Sequence, residues 1–316
     1  MSIRKIMVAS FTLVVLLLLY LIPSNEAVVE LKDTKIEYMT SNTLETIYLL
    51  DSNNDVARTS ITTSNKSDEE KVKDLIEGLI VDGKKNDVIP NGFRSIIPPD
   101  TSILDMTLSE GILTINFSKE LLNIKEEYEE KMLEAIIYTL TSIKGIDKVE
   151  ILVEGEKLTK LPNSGKILPT YLDKTFGINK SYELITMSNI DNYTVYYVNE
   201  YNDYTYYVPV TKYINNEEQD KIKVIVEQLS SSPIYESNLM SYLNVNAKLL
   251  DYELQEEQIK LYFNDLILSD ITSNNILEEV IYTISLSVID LYDVESVVFY
   301  ANDEEIYTFL DKTLEK

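Results

Sequence analysis

The first chemistry the sequence offers is a run of oxygen ligands at alternate positions. In DSNNDVARTSIT (51–62), Asp51, Asn53 and Asp55 are spaced as in a calcium loop. Val56, however, stands where such a loop turns sharply on glycine, and Thr62 stands where a bidentate glutamate closes it. A hairpin turn explains the same residues, because Asn and Asp tolerate the left-handed backbone of a tight turn. A second possibility is a glycosidase-type carboxylate pair drawn from Glu126, Glu127, Glu129 and Glu130, or from Glu217 and Glu218. These acids fall at expected helix starts or on solvated faces, where the helix dipole already accounts for them. The chain has no histidine and no cysteine, so imidazole acid–base chemistry, thiolate nucleophiles, soft metal ligands and disulfides are all absent. No GxSxG or SxxK stands in a supporting context. The residues therefore assign no catalytic, cofactor-binding or metal site, and the expectation is a protein that is not an enzyme and needs no cofactor.

Tyrosine is the remaining candidate for a working surface. Tyr193, Tyr196, Tyr197, Tyr201, Tyr204, Tyr206 and Tyr207 crowd one short stretch. Aromatic rings on a strand pair can stack sugars or anchor a protein partner, although tyrosine also favours strands for packing alone. Tyr197, Tyr201, Tyr204, Tyr206 and Tyr207 are taken as the candidate interaction surface. With a tight turn at Asn202-Asp203, strand alternation is expected to send Tyr196, Tyr204 and Tyr206 to one face and Tyr197 and Tyr207 to the other.

The elements that would carry these residues occur twice. SDEEKVKDLIEGLI (67–80) and NEEQDKIKVIVEQL (216–229) both read as amphipathic helices. LDMTL (104–108) and LDYEL (250–254) alternate apolar and polar residues, as do the strands that follow each of them. EAIIYTL (134–140) returns as EEVIYTI (278–284), and each is followed by a β-branched strand, KVEILVEG (148–155) or SVVFYAND (296–303). IYLLDSNNDVART (47–59) answers VYYVNEYNDYTYY (195–207) as strand, turn, strand. The chain thus reads as a tandem duplication of hairpin, helix, hairpin, helix and strand. The expected fold is α+β, with two helices packed on a small, mostly antiparallel sheet in each repeat. Expected boundaries are an anchor and stalk over 1–40, a first repeat over 41–165, a linker over 166–189 and a second repeat over 190–316.

Charge and the N-terminus bear on compartment and partners. Asp and Glu number 53 against 28 Lys and Arg, a formal charge of −25, which repels phosphate backbones and argues against a nucleic-acid partner. Ile6 to Ile22 is an uncharged stretch of 17 residues preceded by Arg4 and Lys5. It reads as a single transmembrane helix with its N-terminus in the cytoplasm and everything past Pro23 exported. Asn25-Glu26-Ala27 is a poor cleavage site, which favours a retained anchor over a signal peptide. Lipid attachment through cysteine is excluded by composition.

SIIPPDTSIL (95–104), LTINFSKELL (113–122), IIYTLTSIKGIDKVEILVEGEKL (136–158) and TFGINKSYEL (175–184), with LYFNDLIL (261–268) and VIYTISLSVID (280–290) in the second copy, form a distinctive set. On these residues the chain resembles the GerM family of sporulation and germination proteins. The resemblance implies a twin-domain protein outside the mother-cell membrane, with folds like the ring-building domains of the assembly that bridges mother cell and forespore. It implies partners among membrane or sporulation-complex proteins, further copies of itself included, and no catalytic motif. Comparable members are lipoproteins, whereas this chain would hold the membrane by its own helix. A glycan-binding module of the cell wall and an unrecognised hydrolase are the alternative readings.

Overall fold

The computed structural model describes residues 43–63, 67–215, 220–231, 238–270, 274–292 and 294–310. The first repeat opens with an antiparallel hairpin, β1 (Thr43–Leu50) and β2 (Val56–Thr63). Helix α1 (Asp68–Leu79) follows, with Ser67 as its N-cap accepting the Glu70 N–H and three acids in the first turn, where the dipole favours them. Next come the hairpin β3 (Ile103–Ser109) and β4 (Ile112–Phe117), helix α2 (Glu129–Leu140), β5 (Lys148–Val153) and the short β6 (Glu156–Lys157). After β7 (Ser181–Glu183) the order recurs as β8 (Ile190–Tyr201), β9 (Tyr204–Asn215), α3 (Lys221–Ser230), β10 (Leu249–Gln255), β11 (Gln258–Phe263), α4 (Glu278–Tyr292), β12 (Ser296–Ala301) and β13 (Glu304–Leu310).

The expected layout, two helices resting on one small and mostly antiparallel sheet in each repeat, is corrected by this structure. Thirteen strands stand against four α-helices among the described residues, and each repeat divides its strands between two sheets. The first hairpins of both repeats share a single sheet, in the order β1-β2-β9-β7 with β8 on β9. The remaining strands form two separate four-stranded sheets, β3-β4-β5-β6 and β10-β11-β12-β13, whose central pairs β4/β5 and β11/β12 run parallel. The parallel pairs follow from connectivity, since a helix lies between the two strands and carries the chain back to the end where it began. The last strand of each repeat also turns back as a hairpin, at Glu154-Gly155 and Asn302-Asp303, all four residues holding positive φ. No helix among the described residues is long and apolar enough to cross a membrane. The span expected over Ile6–Ile22 lies outside the described residues.

Helices α2 and α4 lie along β1 and β8, the outer strands of the shared sheet. A strand at a sheet edge has unpaired backbone groups, and helix hydroxyls answer two of them. The Tyr48 N–H donates to Thr139 Oγ1 and the Tyr196 N–H to Ser287 Oγ, each at 2.9 Å. Loop bridges complete the cover, Leu50 with Arg94 and Val198 with Met240. Buried apolar side chains from both repeats form one continuous core.

The stretch 166–189 that joins the repeats is packed, with Leu168, Leu172 and Ile178 buried and β7 running parallel to β9. Its most consequential residue is Asn179. Between described residues, β2 and β9 pair only at Arg58 and Tyr207. Beyond that point Asn179 fills the gap: its Oδ1 accepts the Val56 N–H at 2.9 Å, and its Nδ2 donates to the carbonyls of Val56 and Pro209, each at 2.8 Å. One side-chain amide thus substitutes for a missing ladder rung between the repeats. Asn179→Ala leaves a buried N–H and two carbonyls unanswered and is expected to cost about 2–4 kcal/mol in urea unfolding. Asn179→Gly, which suits the backbone φ of 43°, is expected to be destabilised as well, because the amide and not the turn is what is lost.

Candidate functional site

Hairpin β8–β9 turns on Asn202 and Asp203, both at positive φ (47° and 64°), a two-residue connection whose twist suits the flanking strands. The register pairs Tyr201 with Tyr204, Asn199 with Tyr206 and Tyr197 with Val208, so these six share one face. Tyr196 opposite Pro209 and Val198 opposite Tyr207 lie on the other. The expected division of faces is corrected accordingly. A two-residue turn pairs odd positions on one strand with even positions on the next, so Tyr197 sits with Tyr204 and Tyr206, while Tyr207 sits with Tyr196.

Of the five candidate tyrosines, Tyr204 is the exposed one, at 45 %, while Tyr197 and Tyr206 are buried and Tyr201 and Tyr207 half-buried. Tyr207 stacks on Tyr282 of α4, with centroids 5.1 Å apart and planes 8° from parallel. Tyr197 lies beside Tyr193, and burial pushes both hydroxyls up in pKa. The other three meet the first repeat. Tyr206 sets its ring edge to face with Phe93 at 4.9 Å, and Tyr204 meets the same ring at 6.3 Å. Tyr201 packs over Gly92, whose φ of 93° and lack of a Cβ both suit the contact, since a Cβ there would press into the tyrosine ring.

Beneath those rings lies Asp51, 1 % exposed. Its Oδ1 accepts the N–H groups of Asn53 and Asp55 at 2.8 and 2.9 Å, which closes the first hairpin's turn. Its Oδ2 accepts the Tyr206 hydroxyl at 2.9 Å and the Asn199 amide at 3.2 Å. The residues spaced like a calcium loop thus build a turn and a tie to the other repeat, as a buried carboxylate with four donors should. Among the described residues no group of three or more acidic side chains is placed to hold a metal ion. On the opposite face of the hairpin, the hydroxyls of Tyr48 and Tyr196 bond at 2.9 Å, both residues buried. Tyr48 and Tyr196 occupy the same place in the two hairpins, and so do Asp51 and Asn199. The repeats meet as the subunits of a twofold dimer do, each residue on the axis touching its own counterpart.

Of the carboxylates considered for catalysis, Glu129 and Glu130 hold parts of the chain together. Glu126 and Glu127 are exposed, and Glu217 and Glu218 lie outside the described residues. Glu129, expected at a helix start or on a solvated face, is fully buried at the start of α2. It accepts the N–H and Nδ2 of Asn163 and the N–H of Ser164 at 2.5 to 2.9 Å. Burial raises its pKa, but the bonds from Ser164 and Asn163 outweigh that and hold it below the ordinary value. Glu130 pairs with Lys166 and Lys180, and Glu134 pairs with Lys180 and accepts the Asn179 N–H. Burial works against the charge of Lys180, yet Glu134 and Glu130 prevail and its pKa rises. Its ammonium also lies 3.9 Å from the Phe176 ring centroid. The sequence reading assigned no role to Glu134, Asn179 or Lys180; one signal for Glu134 was an acid set within the apolar run MLEAIIYTL (132–140).

Two outcomes test this account. Tyr206→Phe removes one donor from buried Asp51 and is expected to cost about 1–3 kcal/mol in chemical denaturation, against about 1 kcal/mol or less for Tyr204→Ser. For Glu129 the folded pKa lies below the unfolded value of about 4.3, so its contribution is complete above that value and lost as pH falls through the folded one. Glu129→Gln is therefore expected to cost about 2 kcal/mol at pH 7, with melting temperatures of the two proteins converging as pH drops below about 4.

Comparisons with known proteins bear on the same architecture. The Germane family, described as sporulation and spore germination, matches residues 46–159 and again 194–307. The spore germination protein GerM of Bacillus subtilis (strain 168) is 31 % identical over 278 residues, 86 % of this chain and 75 % of that protein. The solved tandem GerMN domains of the sporulation protein GerM from Bacillus subtilis superpose with a TM-score of 0.77 at 29 % identity, covering 86 % of this chain and 98 % of that one.

Proposed function

The chain belongs to the Germane family of sporulation and spore germination, and from that premise we propose that it is a non-enzymatic component of a cell-envelope assembly. In this reading it is held to the membrane by the apolar segment Ile6–Ile22, with both repeats on the far side, and it works by binding other membrane or sporulation-complex proteins or further copies of itself. The observation that carries the proposal is the seam between the repeats. Asp51, Tyr48, Tyr196 and Tyr206 answer one another there, and the acids of α2 are engaged with the segment that follows. The polar side chains of the seam join two copies of one fold, and the acids of α2 fasten the stretch that follows, which suits a part of an assembly.

The test is affinity capture of the tagged full chain from detergent-solubilised membranes of sporulating cells. The expected result is a reproducible set of membrane proteins retained at moderate salt. Recovery of the chain alone, together with co-sedimentation on purified peptidoglycan, would replace this reading with glycan binding. A reporter active only in the cytoplasm, fused after Lys316, is expected to stay silent.

A further inference from the structure

The sheets of this protein treat their edges in two ways. The outer strands of the shared sheet, β1 and β8, are covered by helix hydroxyls and loop bridges. Each smaller sheet has two outer strands, β3 and β6 in one and β10 and β13 in the other, and among the described residues no further strand lies beside β3 or β10. Natural sheets usually blunt such edges with charged side chains, lysine above all, with proline or with bulges. ILDMTLS and LLDYELQ contain no lysine or proline. A bulge at Leu104 and at Leu250 interrupts only the start of each strand, leaving 105–109 and 251–255 in regular register.

The two faces of these edges differ in chemistry. Leu254 lies opposite buried Ile259 and Leu108 opposite buried Leu113, so both point toward the helix-covered side of their sheets. Yet they remain 49 % and 46 % exposed. Asp251 opposite Tyr262, Glu253 opposite Lys260 and Asp105 opposite Asn116 point to the other face, and all three acids are exposed. Past its last residue β10 borders an open depression of about 520 Å3 lined in part by Glu256, Glu257 and Glu295. The half-exposed leucines recur at the same place in both repeats.

We propose that β10, and β3 in the same manner, binds an extended segment of a partner protein as an added strand, the segment alternating aliphatic residues with lysine or arginine. Its backbone would pair with the open edge, its aliphatic side chains would cover Leu254 or Leu108, and its cations would stand over Asp251 and Glu253 or Asp105. A second copy of this chain fits worse, because edge-to-edge pairing of β10 with itself sets these acids against one another. The inference gives chemistry to one partner in the assembly reading and rests on that reading for its setting. Its test is separate, since failure to bind a peptide leaves the membrane capture result as it stands.

The probe is a fluorescein-labelled nine-residue peptide alternating valine and lysine, titrated by anisotropy with the full chain in detergent at physiological salt. Its controls are a peptide of the same composition with valines and lysines in separate blocks, and one alternating valine and glutamate. The alternating lysine peptide is expected to bind at least tenfold more tightly than the block peptide. Changing Asp105, Asp251 and Glu253 together to Lys should weaken it at least tenfold and should create binding of the glutamate peptide. Since the chain remains strongly acidic after those changes, such a gain has to be local, and a misfolded variant could not produce it. Equal binding of the block peptide would reduce the effect to diffuse attraction by an acidic protein and overturn the proposal. So would indifference to the charge reversal, or a self-association that Leu254→Asp abolishes.

Discussion

The contact between the two hairpins is the constraint on which the rest of this structure depends. Tyr48 and Tyr196, counterparts in the duplicated sequence, join their hydroxyls inside the core, and three residues further along each hairpin Asp51 meets Asn199, its own counterpart. A buried hydroxyl or carboxylate left without a partner costs about 1–3 kcal/mol, and more when charged. Rotation of one repeat against the other would strand several such groups at once. Polar pairing at the seam therefore selects one orientation, while the apolar core around it supplies most of the driving force.

Duplication explains why such a contact can close. Two copies of one surface can meet about a twofold axis, where a residue on the axis meets its own counterpart and any contact off the axis is made twice. Tyrosine suits that place because its hydroxyl both donates and accepts. The copies differ at this point: the first has a carboxylate at Asp51, the second an amide at Asn199, and the pair bonds where two carboxylates would repel. The segment between the repeats completes the join. Asn179 bridges strands that have parted, and Lys180 draws that segment onto α2 through Glu130 and Glu134.

The same economy shapes what the surface offers. Five tyrosines looked like a display for partners, and three of them contact the first repeat of their own chain. The hairpin is an interface whose facing surface is internal. Groups still open to another molecule lie at the strand edges that no helix or loop of the described residues covers.

By itself the sequence determined what depends on neighbours along the chain. Periodicity marked the amphipathic helices and alternating strands, Asn and Asp marked the turns, and the recurrence of one pattern marked the duplication and the family likeness. Tertiary structure decided everything that depends on which surfaces meet. Alternation along β1 and β8 is the same whether each hairpin closes its own repeat or joins a shared sheet, so the merger could not be read locally. Glu129 looked like a solvated acid at a helix start until the backbone of Asn163 and Ser164 folded over it. Asp51 had the spacing of a metal ligand until Tyr206 arrived from the second hairpin, some 150 residues along the chain. Burial and hydrogen bonding are properties of the folded surroundings, and those surroundings came from the other repeat.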